Sequence, residues 1–522
     1  MEAIRRMHPP YRLGPRLITA SSLRTCSLSI SRNRACIVPS SFRPLLPHNA
    51  LSVRYAHSEP KLKADPITEL GKTFGETQPR FPVRGDEIEV LSEPEQFYKA
   101  LLGLIKRAKR RLVISSLYIG TEQDELLAAI RTALNTSPSL KVTFLLDHNR
   151  CTREPWPTKS TASILYPLVR DFPGRAEAWF YRSPKLSGVM EWLVPRRFDE
   201  GWGTWHAKIY GGDEEVIISG ANLSKDYFST RQDRYFYFRN SLHLTTYLSN
   251  LLRLYTGYSY LLTPTTFTAA SASTSTLKSS SSSSSSPSSA LTASASTEPQ
   301  PYALYWPHTT VDPRDFHAHA FATLSAFQAS WSRKTRDWEG KRVDADTSVW
   351  PVLQAGVLGI KEEERAMSAV WKAVDKFKEE GRALVDLTSG YFSLYDMYKK
   401  AVIESKADVR IIAAAPKSNG FFGSKGISGL IPEGYTLLER DFEREVSRRG
   451  RSWTVTPSQT DSSSSSLVTT TKSIPDEKSE KPTGTSGLTG SHLGSSPGTG
   501  HGVELTEWQR DGWTYHSKGL SS

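Results

Sequence analysis

Two short segments of this chain place a histidine and a lysine two residues apart. The first is Trp205-His206-Ala207-Lys208-Ile209-Tyr210, whose apolar and aromatic residues favour a β-strand. Because side chains two apart on a strand share a face, the imidazole of His206 and the ammonium of Lys208 project together. An imidazole can attack phosphorus and an ammonium can hold a phosphate oxygen, so the segment predicts covalent phosphoryl or phosphatidyl transfer without a metal.

Further polar groups follow this pair in the sequence. Asp213 is predicted to lie just past a hairpin turn at residues 211–212, where its carboxylate can act in catalysis by orienting an imidazole or by pairing with a cation. Asn222 follows a second predicted strand over residues 215–219 and can donate an amide hydrogen bond to a phosphate oxygen. An isolated His-x-Lys is more often the exposed face of a strand, and the added Asp and Asn favour a catalytic site.

The pattern occurs again near the end of the sequence. Trp513-Thr514-Tyr515-His516-Ser517-Lys518 again puts an aromatic residue before His516 and sets Lys518 two residues later. An Asp at the spacing of the first copy would fall one position beyond Ser522, so we expect either a truncated second half or an impaired half-site. The strand that carries His516 is expected to need its continuation to be held in register.

The pattern His-x-Lys-x4-Asp, followed by a small-residue strand end and Asn, resembles the motif of the phospholipase D superfamily. In that superfamily two such motifs, one from each half of a pseudosymmetric fold, build one active site. The resemblance implies an α/β fold of two pseudosymmetric halves, each a mixed, mostly parallel sheet flanked by helices, with the second half truncated.

The N-terminal segment, residues 1–58, has a distinct composition. It holds nine Arg, no Lys and a single acid, Glu2, so it carries +8 of the +12 net charge and leaves +4 for the rest of the chain. Arg spaced through Ser, Leu and Pro without acids is typical of a mitochondrial presequence; a basic tail without an address is the alternative. The weak basicity of the remainder argues against a nucleic-acid partner.

Tracts rich in Ser and Thr separate the folded parts, because such compositions cannot bury a core. In chain order we predict a presequence (1–58), a first phospholipase D-like half with the complete motif (81–262), a Ser-rich disordered linker (263–300), a second such half (301–455), a disordered insertion (456–502) and the partial second motif (503–522). Strands and helices are predicted to alternate in both halves, which favours parallel sheets with helices packed on them.

Cysteine use and hydropathy limit the remaining possibilities. Cys26 and Cys36 fall in the predicted presequence, which leaves Cys151 and no disulfide or zinc framework. No stretch of about eighteen apolar residues occurs, so any membrane contact is predicted to be peripheral. The cations from Lys106 to Arg111, at the end of a predicted helix, can face either anionic lipid or solvent.

Two further segments offer cations to a phosphate. Arg231 and Arg234 lie in a run of charged and aromatic residues, where they can fork onto phosphate. Pairing with Asp226 and Asp233 is an equal alternative. Lys425 lies in a Gly-rich loop with two adjacent Phe residues, predicted to be either a substrate loop, with the rings against acyl chains, or a buried turn.

Several segments resemble the eukaryotic mitochondrial CDP-diacylglycerol–glycerol-3-phosphate 3-phosphatidyltransferases, a family within the superfamily. They are His206-Ala-Lys208-Ile-Tyr, Asp226-Tyr-Phe-Ser-Thr-Arg231-Gln232-Asp233-Arg234-Tyr235, Ser389-Gly390-Tyr391-Phe392, Asn419-Gly420-Phe421-Phe422-Gly423 and Gly512-Trp513-Thr514-Tyr515-His516-Ser517-Lys518-Gly519-Leu520. The resemblance covers roughly residues 80–260 and 300–450 and the final stretch, and the Ser-rich tracts depart from it.

The resemblance implies that CDP-diacylglycerol and sn-glycerol 3-phosphate are converted into phosphatidylglycerophosphate and CMP, with no cofactor. His206 is then expected to form a phosphatidyl-histidine and His516 to act as acid and base, although a pseudosymmetric site makes the two exchangeable. Lys208, Lys518 and Asn222 are expected to bind the nonbridging oxygens. The expected location is the matrix side of the mitochondrial inner membrane, in peripheral contact with an anionic surface. A phospholipase D-like phosphodiesterase that uses water and a catalytically impaired member are the alternatives.

Overall fold

The structure, a computed structural model, describes residues 66–186, 193–194, 199–265, 299–336, 344–380, 383–455 and 500–521. The predicted presequence, with Cys26 and Cys36, and most of the two Ser-rich tracts lie outside these residues. Within the described ranges, no helix is both long enough and apolar enough to cross a bilayer.

The described strands form a nine-stranded sheet, a four-stranded sheet and four two-stranded ladders. In chain order they are β1 (Phe81–Val83), β2 (Ile88–Leu91), β3 (Arg111–Ser115), β4 (Lys141–Asp147), β5 (Ala176–Tyr181), β6 (Ile209–Gly212), β7 (Glu215–Ser219), β8 (Arg231–Gln232), β9 (Tyr235–Phe238), β10 (Ser259–Pro264), β11 (Tyr302–Tyr305), β12 (Thr347–Val349), β13 (Gln354–Ala355), β14 (Ile360–Lys361), β15 (Leu384–Ser389), β16 (Asp408–Ala414), β17 (Thr454–Val455), β18 (Gly500–His501), β19 (Val503–Trp508), β20 (Thr514–Tyr515) and β21 (Lys518–Ser521). The helices are α1 (Pro66–Thr77), α2 (Pro94–Arg107), α3 (Asp124–Thr136), α4 (His148–Cys151), α5 (Thr161–Asp171), α6 (Leu242–Thr256), α7 (His317–Arg336), α8 (Glu362–Glu380), α9 (Asp396–Glu404) and α10 (Ile431–Arg448).

The nine-stranded sheet has the order β11-β10-β5-β4-β3-β6-β7-β9-β2. Its central strands β3 and β4 are nearly continuous apolar runs, because helices cover both faces: α2, α3 and α5 on one face, and α6 with α7 on the other. Within this sheet only β3, β4 and β5 pair in parallel. The sheet is therefore mixed, as predicted, but the expectation of mostly parallel pairing is wrong for it, because β6, β7 and β9 pair as antiparallel neighbours.

The four-stranded sheet has the order β19-β16-β15-β21, with β21 antiparallel to β15 and the other pairs parallel. Helices α1, α8, α9 and α10 bury apolar side chains against it. The segment that carries His516 is held on both sides, since β21 pairs with β15 and β20 pairs with β8. Strands β20 and β21 on either side of His516 are thus both paired within the described residues. This is contrary to the expectation that further residues are needed to hold His516 in register.

The boundary predicted at residues 263–300 does not separate the cores. Strand β11 pairs with β10 in the nine-stranded sheet, and α7 packs on the same sheet, although both follow that tract. Helix α1, which precedes residue 81, packs on the four-stranded sheet. The sheet on which each helix or strand packs depends on which apolar faces fit together. The composition of the linking tract does not indicate that sheet.

The hairpin after Lys208 turns later than the sequence predicts. Gly211 and Gly212 lie within β6 and pair with β3, and Asp213, with φ of 43°, begins the turn to β7. A Cβ atom at Gly212 would lie 2.9 Å from Leu104 of α2. The glycines therefore allow a helix to approach the strand closely and do not form the turn.

Candidate active site

The site lies where the segment leading into β6 meets the segment between β20 and β21. Lys208 is buried, and its Nζ donates to the carbonyl oxygen of His206 at 2.8 Å. His516 is also buried, and Nζ of Lys518 donates to its carbonyl oxygen at 2.6 Å.

The two pairs share one site. The backbone N–H of Ser219, at the end of β7, donates to the carbonyl oxygen of Lys208 at 3.3 Å. Asn222, three residues later, donates to the hydroxyl of Tyr227, which lies 3.5 Å from Nε2 of His516.

A carboxylate orients His516. Nδ1 of the ring lies 2.7 Å from Oδ2 of Asp233, which is itself buried and accepts a hydrogen bond from the backbone N–H of Arg234 at 2.8 Å. Burial alone raises the pKa of Asp233, but His516 and Lys518 bring it below its ordinary value, so the carboxylate stays ionised. Donation from Nδ1–H to Asp233 leaves Nε2 to accept or deliver a proton.

Two glycines allow this arrangement. A Cβ atom at Gly220 would overlap the carboxylate of Asp233, and one at Gly390 would lie 2.5 Å from the carbonyl oxygen of Tyr515. Any side chain at these two positions would displace either the carboxylate or the backbone that carries His516.

Two tyrosines pack edge-on against His516. The ring centroids of Tyr227 and Tyr391 lie 5.3 and 5.5 Å from that of the imidazole. The hydroxyl of Tyr227 lies 3.5 Å from Nε2 of His516 and accepts a hydrogen bond from Nδ2 of Asn222 at 3.0 Å. Asn222, predicted to bind phosphate, is therefore in the site, and one of its amide hydrogens positions Tyr227.

The surroundings of His206 differ from those of His516. Nδ1 of His206 is buried and has no hydrogen-bond partner in the described part of the chain. Burial lowers the pKa of His206 well below its ordinary value, and Lys208, Lys518 and His516 lower it further. The ring is therefore neutral before substrate binds, which is the form that can attack phosphorus.

Positive charge is concentrated in the site. Nζ of Lys518 lies 3.0 and 3.2 Å from the two ring nitrogens of His516. Burial and then Lys518 lower the pKa of His516 to about 3, although Asp233 opposes the shift. Burial and Lys518 likewise lower the pKa of Lys208 well below its ordinary value. A bound anion would raise these pKa values and be held by the ammonium groups, so the site suits phosphate.

Asp147, at the end of β4, holds the chain just before His206. Its carboxylate accepts a hydrogen bond from the backbone N–H of Trp205 at 2.8 Å. Burial raises the pKa of Asp147 to about 7, although two backbone N–H donors lower it. Oγ of Ser115 accepts from Nε1 of Trp205 and donates to the carbonyl oxygen of Ala207, both at 2.9 Å. These contacts fix the backbone on both sides of the histidine.

Asp213 lies at the end of β6 opposite to His206. Its carboxylate accepts hydrogen bonds from the backbone N–H groups of Lys109, Arg110 and Arg111 at 2.7, 3.1 and 3.0 Å. It therefore closes the loop between α2 and β3. The structure does not bring Asp213 to the site, because β6 carries the chain roughly 10 Å away before the turn, so the catalytic role predicted from the motif spacing gains no support from this geometry.

Both arginines lie near the second pair. The guanidinium of Arg231 stacks on the ring of Tyr227, with 4.5 Å between Cζ and the centroid. It also lies 3.5 Å from a carboxylate oxygen of Asp226. Arg231 therefore lies beside the site and also forms an ion pair. The guanidinium of Arg234 lies 3.5 Å from Oγ1 of Thr388 and so connects the turn before β9 to β15.

The Gly-rich loop lies at the rim of the site. The ring of Phe421 is 5.7 Å from that of Tyr391, while Phe422 is 59% exposed. The loop is therefore not a buried turn. Lys425 is exposed in this loop, outside the buried site that holds both His–Lys pairs.

Asp233 and the two tyrosines are the site residues that sequence reasoning missed. No local signal distinguishes Asp233 from Asp226, since both lie in one charged run, and His516 is 283 residues away from Asp233. Tyr391 had a signal, because it lies in one of the segments that carry the family resemblance. Within the described ranges, no group of three or more His, Cys, Asp and Glu is placed to hold a metal ion.

A small cavity opens beside His206. It measures about 60 Å³ and is lined mainly by apolar and aromatic side chains, among them Tyr181, Trp205, Leu251 and Tyr255. That is about the volume of two water molecules. The cavity therefore cannot hold an acyl chain.

No family model matches the chain, but full sequences of known proteins do. The CDP-diacylglycerol–glycerol-3-phosphate 3-phosphatidyltransferase of Schizosaccharomyces pombe is 31% identical over 401 residues, which cover 72% of this chain and 76% of the relative. The chain belongs to this family of phosphatidyltransferases. Mitochondrial members from Gallus gallus and Homo sapiens are 31% and 29% identical, over 70% and 85% of this chain and 65% and 69% of their own lengths.

The fold is similar to that of the phosphatidylserine synthase from Haemophilus influenzae Rd KW20. The TM-score is 0.51 at 15% identity, over 87% of this chain and 79% of that chain. This confirms the predicted α/β fold, with a large mixed sheet flanked by helices. The pseudosymmetry of the two halves stays a prediction.

Proposed function

We propose that this phosphatidyltransferase moves the phosphatidyl group of CDP-diacylglycerol to sn-glycerol 3-phosphate, giving phosphatidylglycerophosphate and CMP through a phosphatidyl-histidine. The observation that carries the proposal is the meeting of two His–Lys pairs in one buried site. The relatives named for this transfer support the choice of substrates. Two histidines suit two half-reactions at one phosphorus, and two lysines suit its nonbridging oxygens.

In the first half-reaction the neutral His206 attacks the phosphorus that bears diacylglycerol. A nitrogen–phosphorus bond forms, and the bond from phosphorus to the CMP oxygen breaks, with its electron pair leaving on CMP. Lys208 and Lys518 stabilise negative charge on the nonbridging oxygens. His516 donates a proton to the departing phosphate, since bound anions raise its pKa.

In the second half-reaction Nε2 of His516 accepts the proton of a glycerol 3-phosphate hydroxyl, and that oxygen attacks phosphorus. The phosphorus–nitrogen bond breaks and its electron pair returns to His206. Nε2 is the available atom because Nδ1 is directed at Asp233. The phosphate of the acceptor is assigned to Arg231, which lies beside Tyr227 and can bind it in a fork.

CMP release by the purified 522-residue chain tests this reaction. CDP-diacylglycerol in detergent micelles is supplied with sn-glycerol 3-phosphate, with glycerol, or with water alone. We expect release that depends on sn-glycerol 3-phosphate and a matching amount of phosphatidylglycerophosphate. Equal release in water alone would identify a phosphodiesterase instead.

Isotope exchange tests the covalent intermediate. Labelled CMP should enter CDP-diacylglycerol when no acceptor is present, because an enzyme that holds the phosphatidyl group after CMP has left can run the first half-reaction backwards. Exchange that requires sn-glycerol 3-phosphate would contradict the phosphatidyl-histidine.

The proposed location is the matrix side of the mitochondrial inner membrane, in peripheral contact with its anionic surface. Support comes from the Arg-rich composition of residues 1–58 and from relatives named mitochondrial. A fluorescent reporter fused after residues 1–58 should reach mitochondria, and the same segment with its Arg replaced by Gln should not. Equal distribution of the two reporters would contradict the targeting role.

A further inference from the structure

An exposed apolar surface lies on the Gly-rich loop and the start of α10. We call it the docking face, and it consists of Phe422, Ile427, Leu430, Leu437 and Leu438. Ile427 is 74% exposed. Leu437 and Leu438 follow Leu430 by seven and eight positions, about two helical turns, so these three side chains lie on one side of α10 and the turn that leads into it.

The loop part of the docking face packs against the helix part. A 3-10 turn at Gly426–Leu430 leads directly into α10. A Cβ atom at Gly429 would overlap the carbonyl oxygen of Ser424, so the turn that follows Phe422 lies against this 3-10 turn. The exposed apolar side chains therefore belong to one surface.

Two aromatic rings separate the loop part of the docking face from His516. The ring of Tyr391 lies 5.5 Å from the imidazole. It also lies 5.7 Å from the ring of Phe421, the neighbour of Phe422. A lipid that rests on the loop part of this face would therefore lie beside the rings that lead to the His–Lys pairs.

The charges around the docking face suit anionic lipid. Lys417 and Lys425 are exposed on the same loop, with Glu433 as the acid beside them. Arg510 stacks on Trp513 at 3.7 Å and is hydrogen-bonded to the turn that holds Lys417. Apolar side chains bordered by cations and an aromatic ring match the boundary between acyl chains and anionic head groups.

Two members of the basic cluster at the end of α2 are engaged within the protein. Arg107 lies 2.8 Å from Glu215, and Arg111 donates to the carbonyl oxygen of Asp213 at 2.6 Å. This cluster also lies at the end of the nine-stranded sheet opposite to His206. It offers neither exposed apolar side chains nor a path to the site.

We propose that the docking face inserts into the surface of an anionic lipid bilayer, so that CDP-diacylglycerol reaches His206 and His516 from the membrane side. The inference rests on the proposed function, which supplies the lipid substrate. The acyl chains remain in the bilayer while the head group enters, since the cavity of about 60 Å³ beside His206 cannot hold them.

Site-specific fluorescence tests which surface meets the membrane. In the 522-residue chain with Cys26→Ser and Cys36→Ser, one introduced cysteine carries an environment-sensitive fluorophore, because Cys151 is only 1% exposed. The label at Ile427→Cys should shift its emission to shorter wavelength on vesicles of phosphatidylcholine and phosphatidylglycerol, and brominated acyl chains should quench it. The label at Val90→Cys, on the edge strand β2 and 62% exposed, is the matched control and should not respond.

Three outcomes of that experiment would overturn the inference. They are no response of the label at position 427, equal responses at positions 427 and 90, and a shift at 427 that grows with protein concentration without vesicles. The last would mean that a second copy of the chain covers the face. Each result is independent of whether the basic N-terminal segment also binds the vesicles.

Kinetics on two forms of substrate test the use of this surface. Ile427→Glu combined with Leu437→Glu should weaken vesicle binding by about tenfold or more per residue, because each aliphatic side chain no longer inserts. CMP release from CDP-diacylglycerol in vesicles should fall in proportion, whereas release from a soluble short-chain CDP-diacylglycerol should not. Val90→Glu is the control and should match the parent on vesicles. Equal losses on both substrates would overturn the inference, whereas a parent without acceptor-dependent CMP release would overturn the proposed function.

Discussion

The two His–Lys segments share their local geometry and differ in their surroundings. Lys208 and Lys518 each donate to the carbonyl oxygen of the histidine two residues back, at 2.8 and 2.6 Å. His516 has a carboxylate at 2.7 Å, whereas Nδ1 of His206 has no hydrogen-bond partner among the described residues. A carboxylate therefore fixes the proton on Nδ1 of His516, whereas nothing described does so for His206. Partners from distant parts of the chain, and not the motif itself, therefore set the roles of the two histidines.

Removal of each histidine in turn should have the largest effect on transfer. His206→Ala should lower transfer by at least about a thousandfold, because the nucleophile is lost. Acid-quenched protein incubated with labelled CDP-diacylglycerol should carry no covalent label in His206→Ala. In His516→Ala the label should still accumulate, although more slowly than in the parent, because a phosphate leaving group can depart without the proton from His516 while the acceptor hydroxyl is no longer deprotonated.

The controls for this pair are thermal unfolding midpoints, which should stay at that of the parent. Label in His206→Ala together with none in His516→Ala would mean that the two roles are exchanged.

Removing the carboxylate that distinguishes the two histidines comes next. Asp233→Asn should lower kcat by about a hundredfold to ten-thousandfold with little change in KM, because the ring of His516 loses the partner that fixes its tautomer. Asp226→Asn, in the same charged run, is the matched control and should change kcat little. Similar losses in both variants would show that Asp233 acts only through the local charge.

Asp213 provides the contrast to Asp233. Asp213→Asn should leave kcat close to that of the parent and lower the free energy of unfolding by about 1–3 kcal/mol, because the carboxylate caps three backbone N–H groups. Denaturant unfolding and steady-state rates on the same preparation measure both. A loss of kcat comparable to that of Asp233→Asn would restore the catalytic role that the motif spacing predicts.

The smallest expected effect concerns pH and His206, which must be neutral to attack phosphorus. The kcat/KM for CDP-diacylglycerol, which reports the free enzyme, should not fall from about pH 7 to about pH 5, because proton donation by His516 only favours lower pH. An ordinary imidazole as nucleophile would become protonated there and lose about tenfold per unit below about pH 6.5. Burial and the neighbouring cations hold the pKa of His206 well below its ordinary value.

The variant Lys518→Met extends the pH prediction, because Lys518 lowers the pKa of His206 and loss of its charge should raise that pKa and move the acid limb toward neutral pH. A parent enzyme whose kcat/KM already falls about tenfold per unit below about pH 6.5 would show that His206 is not held neutral.

Much of the site could be predicted from local pattern. The α/β class was predicted correctly, and the two His–Lys pairs that the local pattern indicated lie in one site, because apolar spacing and a two-residue repeat act over a few residues of backbone. The turn at residues 211–212 was predicted wrongly, since a Gly pair can serve a turn or the close approach of a helix, and Leu104 of α2 decides for the second. The place of β11 and α7 on the nine-stranded sheet was missed, because composition marks a linker and not the face on which the next helix is buried.

The sequence by itself determined that each lysine accompanies its histidine, because two residues of extended chain put both side chains on one face whatever surrounds them. Only the tertiary structure decided which carboxylate serves the site. Asp213 is seven residues from His206 yet lies at the other end of β6, whereas Asp233 reaches His516 across 283 residues through the pairing of β20 with β8. The sequence shows an Asp at both positions. The electrostatic effect of each carboxylate on an imidazole depends on the distance between them in space, and the packing of the two sheets sets that distance.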